Sequence, residues 1–106
     1  MQVDRRFLDE LVRRIREVAD PHRIILFGSA ADGSLGPDSD IDLLILTDGR
    51  FNTWENRVRI RAALRGMGVP VDVAIMTPER FEETRNVIGG LAHPADKHGK
   101  VLYAAA

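Results

Sequence analysis

Three aspartates and one glycine-serine pair stand where they could do chemistry. Leu26-Phe27-Gly28-Ser29 is followed, after ten residues, by Asp40-Ile41-Asp42, and Asp72 lies further on between Val71 and Val73. A glycine and a hydroxyl at the end of an apolar run let the backbone turn tightly and offer N–H groups and an Oγ to a phosphate. Asp40 and Asp42 open the next apolar run. In a strand, the period of two would put both carboxylates on one face, roughly 7 Å apart along the chain. Such a pair can grip one or two hard cations, and Mg²⁺, held by carboxylates and substrate phosphates, suits it better than zinc. A charged Asp72 in an otherwise apolar strand is costly unless paired or metal-bound, so a third metal ligand is its simplest reading. The set suits two-metal, in-line phosphoryl or nucleotidyl transfer, in which Asp72 can also take the proton of an acceptor hydroxyl.

Each part alone has a plain structural reading. Gly28-Ser29 can be a strand-ending turn, Asp40 and Asp42 can cap a loop or bind a structural cation, and Asp72 can pair with Arg59 or Arg61. It is the ordered set that points to catalysis.

These residues need strands to carry them. Arg23 to Phe27 and Ile41 to Thr47 read as two buried strands, and Val69 to Met76 as a third, with Pro70 tolerated near its start. Gly28 to Ser39, rich in Gly, Ser, Ala and Asp, reads as a loop between the first two. Ahead of them, Asp4 can cap a helix in which Phe7, Leu8, Leu11, Val12, Ile15 and Val18 recur at helical spacing, with Arg6, Arg13, Arg14 and Glu17 toward solvent. It should end by Asp20-Pro21. A second helix is predicted from Asn52 or Thr53 to about Arg65, broken by Gly66 and Gly68. A third should start at Thr77-Pro78-Glu79, with Thr77 as cap, and run to about Ile88 or Leu91. Val101 to Tyr103 is a short final strand. The order α-β-loop-β-α-β-α-(β) describes a small α/β sheet with helices on it.

The 106 residues suit one domain spanning 1–106. A net charge of −1 supplies no global field for nucleic acid or an anionic membrane, so direct nucleic-acid binding is not expected. The absence of cysteine excludes disulfides and thiolate metal sites. No apolar run approaches a membrane span, Met1 to Asp20 lacks a signal-peptide core, and the cytoplasm is the default address.

Gly28-Ser29, the ten-residue spacer with Gly33, Asp38-Ser39-Asp40-Ile41-Asp42 and the later strand aspartate together resemble the minimal nucleotidyltransferases of the DNA polymerase beta superfamily. The resemblance covers most of the chain. It implies a palm-like α/β (α+β) fold, a small mixed sheet of three to four strands with helices on one face. It also implies Mg²⁺, two ions, and ATP as nucleotide donor. By the same resemblance Gly28 and Ser29 match the triphosphate turn, Asp40 and Asp42 the two-metal pair, and Asp72 the third carboxylate. Many such small proteins resemble antitoxins that inactivate a helical HEPN-domain RNase toxin by transferring AMP to a toxin tyrosine, which implies a hetero-oligomer. One departure counts against catalysis. Family members commonly carry arginines directly after the serine and two residues later, where this chain has Ala30 and Asp32. The alternative is therefore a non-catalytic antitoxin that neutralises its partner by contact.

Other residues read as structural. Trp54 and Phe51 are expected in the core or in helix packing, with a partner interface as the other option. Arg57, Arg59, Arg61 and Arg65 are expected on a solvated face, His22, His93 and His98 are isolated, and Tyr103 should pack.

Overall fold

The computed structural model describes residues 5–27, 41–48, 53–68, 70–84 and 99–105. The chain runs through α1 (Arg5–Val18), β1 (Pro21–Phe27), β2 (Ile41–Thr47), α2 (Thr53–Ala63), β3 (Val71–Met76), α3 (Pro78–Thr84) and β4 (Lys100–Ala104). The four strands form one mixed sheet in the order β3-β2-β1-β4. β1 is antiparallel to both β2 and β4, whereas β2 and β3 are parallel.

β2 explains the arrangement. Its run Ile-Asp-Leu-Leu-Ile-Leu-Thr is apolar on both faces, so both faces must be covered. Ile41, Leu43 and Ile45 join Ile24 and Leu26 in a core closed by Phe7, Leu11 and Ile15 of α1 and Ile60 of α2. Leu44 and Leu46 point the other way, into a smaller core with Ile25 and Phe81. The expectation of helices on one face thus holds for α1 and α2, while α3 covers the other. Phe81, only 1 % exposed, is the residue that seats α3 there.

Local chemistry sets the ends of the elements. Thr77 caps α3 as expected: its Oγ1 accepts the Arg80 N–H at 3.1 Å, and its carbonyl accepts the Phe81 N–H at 3.0 Å. α2 gives way to a turn in which Gly66 and Gly68 have φ of +81° and +82°, a conformation that costs other residues strain. β1 starts at Pro21, two residues ahead of the predicted Arg23, because a first strand position does not require a backbone donor. The expected caps Asp4 and Asn52, the end of the third helix at Ile88 or Leu91, and Val69 lie outside the described residues.

Two arginines tie the helices together reciprocally. Arg14 of α1 donates to the carbonyls of Ala63 and Arg65 at 3.3 and 2.9 Å, satisfying the end of α2. Arg59 of α2 donates to the Val18 carbonyl at 3.0 Å, satisfying the end of α1. Cations at helix C-termini meet both the orphan carbonyls and the helix dipole. Neither arginine is the simply solvated side chain that helical spacing suggests.

On the outer side of α1, Glu10 accepts hydrogen bonds from Arg13 and Arg14, and these lower its pKa from an ordinary 4.5 to about 2. A depressed carboxyl pKa contributes stability that is present above about pH 4.5 and is lost as pH falls through about 2. An NMR titration should therefore find the Glu10 midpoint below those of the other carboxylates, and Arg13→Ala should move it back up. A Glu10 midpoint at the ordinary value would show that these pairs do not persist in solution. Among the described residues, no helix is long and apolar enough to cross a membrane.

Candidate functional site

The strand register brings two of the sequence-predicted acids together. Asp42 of β2 stands opposite Asp72 of β3 in the parallel ladder, and Phe27, the last residue of β1, stands opposite Asp42 on the antiparallel side. Phe27, Asp42 and Asp72 therefore form one row across three strands. Side chains alternate along each strand, so the row has the parity of Leu44, Ala74 and Met76 and lies on the α3 face of the sheet. Adjacent strands are about 4.8 Å apart, which lets two such carboxylates reach one ion.

Gly28, Ser29 and Asp40 lie outside the described residues. Their tether is covalent: Gly28 follows Phe27, and Asp40 precedes Ile41, so each adjoins the strand end that carries the row.

Asp42 is half-buried and Asp72 is exposed. Exposure changes the reason for singling out Asp72. Its place in the strand carries little desolvation cost, so burial makes no demand for a metal; the demand comes from register, because like charges directly opposite each other repel. Asp72 makes no ion pair with another described residue. Arg59, one of its candidate partners, turns to Val18 instead. Oxygen donors alone, from two adjacent strands, match what a hard cation such as Mg²⁺ takes. Among the described residues, no group of three or more acids and histidines gathers as a metal site.

A cavity lined by described residues lies elsewhere. About 540 Å³ in volume, it lies at the opposite edge of the sheet, among Arg16, Asp20, His22, Asp48 and Tyr103. Its groups already engage one another: His22 Nε2 is 3.7 Å from Asp48, and the Arg16 guanidinium sits 4.5 Å from the centre of the Tyr103 ring. Tyr103 packs, as expected, and His22 is less isolated than its sequence context suggests.

Trp54 does not take the core position, the first of its two readings. It is 72 % exposed on α2, and Val58, one turn on, is 47 % exposed. Phe51 lies outside the described residues.

A mixed sheet with helices on both faces, which lines up acids from neighbouring strands at one edge, is the framework of a nucleotidyl-transferring domain. The chain belongs to the nucleotidyltransferase domain family, whose model matches residues 5–92. Three solved structures share the fold. A toxin–antitoxin crystallised with AMP-PNP is 22% identical, with a TM-score of 0.65, over 92% of this chain and 73% of that one. A mutant MntA–HpeT toxin–antitoxin, in which two aspartates two positions apart are glutamates, is 20% identical, with a TM-score of 0.60, over the same shares. A protein assigned as a nucleotidyltransferase from Sulfolobus solfataricus is 20% identical, with a TM-score of 0.54, over 98% of this chain and 92% of that one. No curated protein matches the chain significantly.

Proposed function

We propose that this chain is the antitoxin of a cytoplasmic toxin–antitoxin pair and transfers AMP from ATP to a hydroxyl of its partner, a tyrosine of a HEPN-domain toxin. The observation that carries the reading is the pairing of Asp42 with Asp72 at one register position and on one face. Family membership supports the reaction class. The toxin–antitoxin neighbours, one of them crystallised with AMP-PNP, support the donor and the kind of partner.

In this reading Asp40 and Asp42 hold two Mg²⁺ ions, Asp72 is the third ligand, and Gly28 and Ser29 receive the triphosphate. When bound, the metal neutralises phosphate charge and stabilises the attacking and leaving oxygens. The acceptor oxygen attacks the α-phosphorus and forms a new P–O bond. The bond to the oxygen bridging the α- and β-phosphates breaks, and pyrophosphate leaves. The acceptor proton passes to the Asp72 carboxylate, whose exposure lets it pass the proton on to water.

A second reading rests on Ala30 and Asp32, which remove two phosphate-binding cations and add a repelling charge. In that reading the fold neutralises its partner by contact alone. One experiment separates the two. The purified chain is incubated with ATP, Mg²⁺ and the product of the neighbouring gene, and intact masses are read alongside an Asp40→Asn/Asp42→Asn control. A gain of one or more AMP units on the partner, absent from the control, is the expected result. An unmodified partner held inactive in a stable complex would replace the enzyme with the binding protein.

A further inference from the structure

α2 turns a face to solvent that an isolated chain has little reason to keep. Asn56 and Ile60 make its buried side, with Leu64 just past its end. At 100° per residue, the direction opposite them is that of Val58, with Trp54 and Ala62 one turn to either side. All three are exposed, so an apolar stripe about 12 Å long runs down the outer side of the helix. Arg57 and Arg61 border the stripe, and Arg65 follows at its end, all three exposed. None of the three pairs with an acid among the described residues. From Thr53 to Arg65 there are four arginines against one glutamate, in a chain whose net charge is −1.

This combination favours a protein partner of opposite charge. Tryptophan and arginine are the residues that most often anchor protein interfaces, the one by burying area and the other by pairing at the rim. A second copy of this chain would set arginines against arginines. A nucleic acid would want a longer run of cations than three and has no use for Val58 and Ala62. Building on the toxin–antitoxin reading above, we propose that the outer face of α2 is the docking surface for the partner protein. It takes a partner surface that is apolar at the centre and acidic at the rim.

The topology keeps this face clear of the acids. A parallel β2–α2–β3 crossover requires α2 to start beside the end of β2 and return toward the start of β3. Trp54 is therefore near the strand ends remote from Asp42 and Asp72, and on the opposite face. Docking and transfer can be lost separately.

The test is calorimetric titration of the full chain with the product of the neighbouring gene, at low and high salt. Trp54→Ala and Arg57→Glu/Arg61→Glu are each expected to weaken binding by about tenfold or more, and the charge reversal to remove most of the salt dependence. Both variants should keep the circular dichroism of the unchanged chain and its Mg²⁺-dependent binding of AMP-PNP. Variants that bind the partner as well as the unchanged chain would overturn the surface and leave the pairing intact. Failure of the unchanged chain to bind would overturn the pairing, and the surface with it. Self-association abolished by Trp54→Ala, or Trp54-dependent binding of a single-stranded RNA oligonucleotide, would reassign the face.

Discussion

Asp42→Asn is expected to reduce AMP transfer on the order of a thousandfold while leaving the protein folded. The substitution keeps the shape of the side chain and takes away the charge that a divalent cation needs. Loss of metal-held transition-state stabilisation is worth several kcal/mol, and each 1.36 kcal/mol is about tenfold in rate. The fold should not suffer, because one of two like charges at a shared register position has gone. The effect can be measured without knowing the acceptor. Saturating AMP-PNP with Mg²⁺ at about 100 times its dissociation constant should stabilise the unchanged chain by about 2.7 kcal/mol, a shift of several degrees in melting temperature. Asp42→Asn should show almost none of that shift. An equal shift in both proteins would remove Asp42 from the site, and with it the case for a shared cation between β2 and β3.

Phe81→Ala should destabilise the fold by about 3–5 kcal/mol, read by urea denaturation. Whole domains are stable by only about 5–15 kcal/mol, so the loss is a large share. The reason is local. The seven residues of α3 bury one side chain, and it closes the smaller core over Ile25, Leu44 and Leu46. Phe81→Leu, which refills most of the volume, should cost well under half as much. A loss below about 1 kcal/mol for the alanine variant would mean that α3 is held by something other than this ring.

Much of this could be read from the sequence where the deciding forces are local. Thr77-Pro78-Glu79 announced a helix start because a hydroxyl and a missing donor suit those positions, and Gly66 and Gly68 marked a helix end because they accept positive φ. The apolar run from Ile41 to Thr47 could only be a strand with both faces covered. What escaped depends on partners far away in the chain. The opposition of Asp42 and Asp72 is set by a parallel pairing across a helical crossover, and spacing alone does not fix the register. Arg14 and Arg59 look like surface charges until the carbonyls they cap are brought to them. Trp54 was expected to pack because a large aromatic usually does, yet the side of α2 facing the sheet is already filled by Ile60 and Leu64. The side of the sheet that α3 covers turned on the single ring of Phe81. Gly28, Ser29 and Asp40 lie outside the described residues, so their part in the site rests on sequence.

The crossover also sets the order in which the site comes into being during synthesis. Every predicted ligand up to Asp42 precedes α2 and β3 in the chain and so emerges from the ribosome before them. Asp72 follows thirty residues later and meets Asp42 only when α2 has folded back and β3 has docked beside β2. A chain stalled or cut between those strands would carry Gly28, Ser29 and two of the aspartates but lack the third. The acidic row therefore depends on the pairing of β3 with β2, and on nothing in the hairpin-forming strands alone.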